Sequence, residues 1–153
     1  MRFYFLFILL IIGIGANAQD TLRIEITQRF SDPQPQVVPV GIYGLVLIEH
    51  ERDMLPGTIS LVHYDTLLIK NWEGEVSFGQ KLELVNHQVY KDKLYLLFNN
   101  EDEPILEVAV ISLVDGIITS YQFSYFERFS AEAMCIKNGE MYVHSSTVDS
   151  SKS

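Results

Sequence analysis

The chain is organised as short apolar segments separated by turn-forming residues, most clearly between positions 82 and 126. Apolar segments of about 5–10 residues that are bounded by Asp, Asn, Gly and Lys are typical of β-strands. The pair Asp115-Gly116 indicates a hairpin, because such a turn needs positive φ and glycine adopts it freely. We therefore predict an antiparallel meander of four strands at 84–90, 94–98, 107–114 and 117–126.

The same alternation of strand and turn continues on both sides of this meander. Tyr95 and Tyr142 each follow a charged turn, and the tetrapeptide Ile-Ser-Leu-Val at 59–62 recurs at 111–114. A period of about 40–50 residues with four strands per unit indicates repeated sheets. The further strands are predicted at 37–42, 45–50, 58–64, 67–72, 132–136 and 140–144.

The segment Leu-Tyr-Leu-Leu-Phe at 94–98 is apolar at every position. A strand with one face in water alternates between apolar and polar residues, so an unbroken apolar run predicts burial on both faces. We interpret the run as a strand of a sheet that lies between two other sheets. The alternative is a two-layer sandwich in which this one strand is irregular.

The pieces Lys-Asp-Lys-Leu-Tyr at 91–95 and Lys-Asn-Gly-Glu-Met-Tyr at 137–142 resemble the blade openings of kelch-like or quinoprotein-like β-propellers. The resemblance implies an all-β fold of stacked four-stranded antiparallel meanders, about two and a half blades over 37–146. Neither the Gly-Gly doublet of kelch repeats nor the Trp-Asp of WD repeats is present. Closed propellers have about 4–8 blades, so the resemblance implies a fragment, a self-associating chain or an open stack.

The N-terminal residues have the layout of a secretory signal peptide. Arg2 precedes an apolar run, and Ala16-Asn17-Ala18 offers a cleavage site of small residues, so we predict that residues 1–18 are removed. The run is short for a membrane span, which needs about 20 residues. We therefore expect a secreted or periplasmic protein without a stable membrane span. A strand and a proline-containing linker are expected over 19–36, and a disordered tail over 147–153.

The charge and cysteine content narrow the classes of partner and fold. The net charge of −9 opposes binding to nucleic acid, because the mean field repels phosphate. A single cysteine, Cys135, excludes an internal disulfide, so the fold depends on core burial. Its apolar neighbours predict that this thiol is buried and inert.

Two acidic loops are the candidate contact surface. Carboxylates on two matching loops of neighbouring blades would form a negative rim that suits a cationic partner. A hard cation such as Ca²⁺ is an alternative for the second loop, although the EF-hand spacing is missing, and a merely solvated loop is the third possibility. The candidate rim residues are Glu49, Glu51, Asp53, Glu101, Asp102 and Glu103.

Other candidate groups favour structural roles. The four histidines lack the local spacing of a metal site, so no metal and no cofactor is predicted, although His50 and His144 could converge at one rim. Ser60 and His63 should point to opposite faces of one strand, which argues against a catalytic pair. Trp72 is expected to pack at a sheet edge. The aromatic residues Tyr121, Phe123 and Tyr125 are expected to pack in a core or between sheets.

These observations favour an exported, non-catalytic binding or scaffolding module for a protein or carbohydrate ligand. Propellers host enzymes, binders and scaffolds alike, so the architecture alone does not assign a function. One alternative is a fragment of a propeller-type polysaccharide hydrolase or lyase. The other is a structural surface component that assembles through open strand edges.

Overall fold

The computed structural model describes residues 23–24, 34–49, 57–78, 83–99, 105–125 and 129–147. The predicted signal peptide and almost all of the predicted N-terminal strand and C-terminal tail lie outside these residues. The described part consists of β-strands with one short 3₁₀ turn and contains no α-helix. The strands are β1 (Gln36–Pro39), β2 (Leu45–Glu49), β3 (Thr58–Tyr64), β4 (Lys70–Ser77), β5 (Glu83–Tyr90), β6 (Lys93–Asn99), β7 (Ile105–Ser112), β8 (Ile118–Ser124), β9 (Phe129–Lys137) and β10 (Glu140–Thr147).

The strands form three antiparallel sheets in chain order. The first sheet has the order β1-β2-β3-β4, the second has β5-β6-β7-β8, and the third is the hairpin of β9 and β10. Within each sheet the paired strands are therefore neighbours in sequence, which is the meander topology. The predicted all-β class and the four-stranded meander between positions 82 and 126 are both confirmed.

The second sheet lies between the other two. Leu94, Leu96 and Phe98 of β6 join one hydrophobic cluster with buried residues of the first sheet. Leu97, which points to the opposite face, joins a second cluster with Ala131 and other residues of β9. The apolar run at 94–98 is thus buried on both faces, as predicted, because a sheet covers each side.

The third sheet covers only part of the second. β9 packs mainly against β5 and β6, and the second cluster extends to Leu106 and Val108 of β7. Along β8, in contrast, every residue after Ile118 is exposed. A two-stranded hairpin is half as wide as the sheet beneath it, so the outer strand of the second sheet remains uncovered.

Several predicted strands have different limits in the structure, and two of the differences have a clear local cause. β1 ends at Pro39 and is followed by the 3₁₀ turn Gly41–Tyr43, whereas the apolar pattern predicted a strand to position 42. β4 begins at Lys70 instead of 67. The side chain of Asp65 accepts hydrogen bonds from the backbone N–H groups of Leu67 and Ile69, which fixes a turn where the sequence is apolar.

The repeated tetrapeptide Ile-Ser-Leu-Val occupies different positions in its two sheets. Residues 59–62 lie within β3, whereas residues 111 and 112 end β7 and the next two belong to a turn. In the turn, the Leu113 side chain is still buried but its carbonyl accepts a hydrogen bond from Trp72. Identical letters therefore do not mark structurally equivalent sites here.

Burial on both faces of β6 has a measurable consequence. We expect Leu96→Ala and Leu97→Ala each to lower the free energy of unfolding by about 2–5 kcal/mol, because both side chains are completely buried and truncation leaves a cavity. Urea unfolding measures the loss. Val114→Ala, at an exposed position, is the control and should change stability by less than about 0.5 kcal/mol. If Leu97→Ala left the free energy of unfolding unchanged, the packing of the third sheet on this side of β6 would be contradicted.

The β7–β8 turn offers a second test, based on two glycines with positive φ. A Cβ at Gly116 would lie 2.9 Å from ring carbons of Trp72, whereas nothing lies within 4 Å of the corresponding position at Gly139. Both alanine variants carry the left-handed backbone cost of about 1–2 kcal/mol. Only Gly116→Ala adds the clash, about 1–3 kcal/mol more. If urea unfolding gave the same loss of stability for Gly116→Ala and Gly139→Ala, the close contact between the turn and Trp72 would be contradicted.

Candidate functional site

An exposed aromatic row on β8 and the residue that follows it is the most unusual surface of the described chain. Tyr121, Phe123 and Tyr125 are 50%, 40% and 46% exposed, and we call these three residues the aromatic face. The prediction that they pack in a core or between sheets is wrong. The hairpin covers β5 and β6 but has no strand above β8. The rings point toward the side of the hairpin and therefore reach solvent, whereas a wider third sheet would bury them.

The aromatic face is continuous with the interior. Tyr121 pairs with Val108 across the two strands, and Phe123 pairs with Leu106. Directly opposed residues of antiparallel strands point to the same face, and both β7 residues belong to the cluster beneath the hairpin. The apolar contact between the second and third sheets therefore runs out to the surface along β8. Exposed apolar area of this kind is typical of interaction sites.

The other face of β8 is polar, and the neighbouring strand β7 carries a buried carboxyl group on that side. Glu107 of β7 is 3% exposed, and Gln122 donates a hydrogen bond of 3.3 Å to its Oε1 atom. Glu107 lies opposite Phe98, so it points between the first and second sheets. Burial raises the pKa of Glu107, because removal from water penalises the charged carboxylate.

The structure describes one of the six residues of the predicted acidic rim. Glu49 ends β2, where it pairs with Ser60 of β3, and Ser60 pairs in turn with Glu75 of β4. These three residues form a row across the first sheet on the face opposite Ile48 and Leu61. Glu51, Asp53, Glu101, Asp102 and Glu103 lie outside the described residues, so the rim stays a prediction. His50, the candidate partner of His144, also lies outside the described residues.

The buried His63 and the partly buried Trp72 form a structural pair. Their rings stack with centroids 5.0 Å apart, and the Nε2 atom of His63 donates a hydrogen bond of 2.7 Å to the Tyr43 carbonyl. Trp72 donates its indole N–H to the carbonyl of Leu113 in the second sheet. His63 is thus 2% exposed and faces the core, whereas Ser60 lies on the opposite face, as predicted. Trp72 has the packing role that was expected of it.

Cys135 is exposed, so the prediction of a buried thiol is wrong. Its neighbours Met134 and Ile136 point into the second cluster, and strand alternation turns the residue between them outward. The sequence run was uniformly apolar, which hid this alternation. Cys135 pairs with Tyr142 of β10 on the outer face of the hairpin.

The outer face of the hairpin also carries two polar contacts. Tyr142 donates a hydrogen bond to Glu140, which raises the pKa of the Tyr142 hydroxyl because the neutral form is the donor. His144 lies 3.1 Å from Glu132. Within the described ranges no three His, Cys, Asp or Glu side chains are close enough to hold a metal ion together.

Comparison with known proteins yields no matching family model, no similar curated protein and no similar solved structure. In the part of the chain that the structure describes, no helix is both long and apolar enough to cross a membrane. The aromatic face is therefore the candidate site on the geometry of the chain alone.

The buried Glu107 predicts a pH dependence of stability. Since its pKa is raised in the folded state, the native protein binds more protons than the unfolded chain above the ordinary pKa of 4.5. Stability should fall as the pH rises from there through the raised value. Glu107→Gln has no carboxyl group to ionise, so its stability should not fall in this way, and its amide oxygen can still accept the hydrogen bond from Gln122. We expect the stability advantage of the variant over the wild type to grow between pH 4 and pH 7.

Chemical unfolding at a series of pH values measures the difference. Glu75→Gln, on the exposed side of β4, is the matched control, because it removes the same charge from a solvated position. A stability difference between Glu107→Gln and the wild type that does not change with pH would show that Glu107 is not desolvated in the folded protein.

Proposed function

We propose that this chain is an exported, non-catalytic binding or scaffolding module that contacts a protein partner through the aromatic face. The observation that supports the proposal is the exposure of Tyr121 and Phe123 beside the buried residues Val108 and Leu106. Aromatic side chains supply large contact areas at low cost in side-chain entropy, and they dominate the energetics of many protein interfaces.

The surroundings of the aromatic face favour a protein over a carbohydrate ligand. A sugar that stacks on an aromatic ring also needs polar side chains close by, because its hydroxyl groups must remain hydrogen-bonded. On this face the neighbouring strand offers Leu106, Val108 and Val110, none of which has a polar side chain, and β8 itself adds the hydroxyl of Thr119. A partner with an apolar sheet face or side chains of its own fits this surface better.

The proposed architecture is an incomplete propeller-like stack. Two four-stranded meanders and a hairpin pack face to face in chain order, which agrees with about two and a half blades. In this interpretation the strands that complete the third unit come from another chain or from further residues. Export through cleavage after Ala18 belongs to the same proposal and depends on the N-terminal sequence pattern.

The enzymatic alternative, part of a polysaccharide hydrolase or lyase, receives no support from a specific observation. A glycosidase uses two carboxyl groups on either side of an accessible bond. Glu107 has the raised pKa of a potential acid, but its neighbour is the amide of Gln122 and it points between two packed sheets. The alternative of a self-assembling structural component is favoured by the open edge of β8.

A photo-crosslinking experiment tests the proposed contact surface. We expect a benzophenone amino acid at position 123, introduced into the chain in its producing cells, to give covalent adducts with protein. The same probe at position 42 is the matched control, since Ile42 is 87% exposed but lies in the 3₁₀ turn of the first sheet. Denaturing gels and mass spectrometry identify the adducts.

The outcomes separate the alternatives. Protein adducts from position 123 that are missing from position 42 support the aromatic face as the contact surface. Equal labelling from both positions, or none from either, would contradict the proposal. Adducts that contain carbohydrate but no second protein would redirect it to a sugar ligand.

A further inference from the structure

The outer edge of β8 differs from every other sheet edge in the described chain. Among the described strands β8 pairs with β7 alone, and six of its seven residues are exposed. Open edges present unpaired backbone groups, and proteins protect such edges with charges, prolines or short strands. β8 has none of these protections, since its sequence Ile-Thr-Ser-Tyr-Gln-Phe-Ser contains no charged residue and no proline.

The remaining edge strands are protected. β1 has four residues and ends in a proline, whereas β4, β5, β9 and β10 all carry charged side chains. On β4, for example, Lys70 forms an ion pair with Glu73. A chain with a net charge of −9 repels its own copies, so an uncharged edge is the place where two copies can approach.

The hydrogen bonds of β7 show which backbone groups of β8 point outward. The N–H of Ser112 donates to the carbonyl of Ile117, so this pair is of the hydrogen-bonded type. Hydrogen-bonded and non-hydrogen-bonded pairs alternate along an antiparallel ladder. The backbone groups of Thr119, Tyr121 and Phe123 therefore bond to β7. The N–H and C=O groups of the residues between them, Ser120 and Gln122, therefore point to the open edge.

We propose that two copies of this chain pair through β8, antiparallel and around a two-fold axis. The inference deepens the proposed function, on which it rests, by naming a second copy as the partner. The register with full overlap places Tyr121 on the axis, opposite its own copy, and opposes Ser120 to Gln122 of the second chain. The outward groups of these residues then bond to each other, and two meanders become one continuous sheet.

This register also joins the aromatic faces of the two copies. Tyr121 meets Tyr121 of the second chain as a pair without hydrogen bonds, in which the side chains approach most closely. Thr119 of each chain lies opposite Phe123 of the other. No like charges face each other along the pairing, so association should become tighter as salt screens the net negative charge of the two copies.

Disulfide trapping tests the pairing and its register. The exposed Cys135 is first replaced in Cys135→Ser, and Tyr121→Cys is added in that background. Opposed residues without hydrogen bonds have Cα atoms about 4.5 Å apart, which suits a disulfide. We expect mild oxidation of the purified protein to give a covalent dimer. Thr119→Cys is the matched control. In this register the cysteines at position 119 of the two chains lie about 13 Å apart along the strand, so no disulfide should form between them.

A proline variant tests the outward backbone groups without the cysteine. The N–H of Ser120 makes no bond to β7 in this geometry, so Ser120→Pro should abolish dimers in sedimentation over about 5–500 µM. Its unfolding midpoint should match that of the wild type at concentrations where the wild type is monomeric, because dimerisation itself stabilises the native state. Tyr121→Lys is a second variant, which places like charges on the axis and should also give monomers. Gln36→Lys adds the same charge to β1 and should leave the dimer intact.

The results that overturn the inference differ from those that overturn the proposed function. A monomer at every concentration and salt level, or dimers that persist in Ser120→Pro and Tyr121→Lys, would exclude pairing through β8. Weaker association at high salt would indicate a charged interface elsewhere. If purified protein is monomeric while position 123 still forms adducts with a different protein in cells, the dimer fails and the proposed function stands.

Discussion

The described structure depends on the burial of the second sheet on both of its faces. Leu94, Leu96 and Phe98 pack against the first sheet, and Leu97 packs against the hairpin of β9 and β10. Because successive residues of a strand point to opposite sides, a strand as apolar as β6 is stable in water only between two layers. The three sheets therefore stabilise one another, and the hydrophobic contact between layers is the main source of stability.

The same constraint explains the unusual surface. A layer of two strands cannot cover a layer of four, so the apolar contact ends partway across the second sheet. Tyr121 and Phe123 continue the row of buried residues from β7 but reach solvent. The aromatic face is thus a consequence of an incomplete third layer, and binding through it would bury what the chain alone leaves exposed.

Charge and edge protection complete this interpretation. The acidic surface keeps copies apart, and most edges of the described sheets carry charges or proline. β8 is the exception, since it combines an uncharged edge with an aromatic face. Glu107 lowers the stability of this arrangement at neutral pH, because it is buried beside β8, where it accepts a hydrogen bond from Gln122, and burial raises its pKa.

The pattern of apolar runs and turn residues is enough to predict most of the strands and their alternation. Apolar runs and the turns at Asp115-Gly116 and Asn138-Gly139 located the meander and the hairpin, and the run at 94–98 required a layer on each side. Which faces of the sheets are covered depends on packing between sheets, which the sequence pattern does not show. Cys135 and Tyr121 have the same local patterns as buried residues, yet both are exposed. Local alternation assigns a residue to a face, whereas its burial depends on how many strands, distant in sequence, lie above that face.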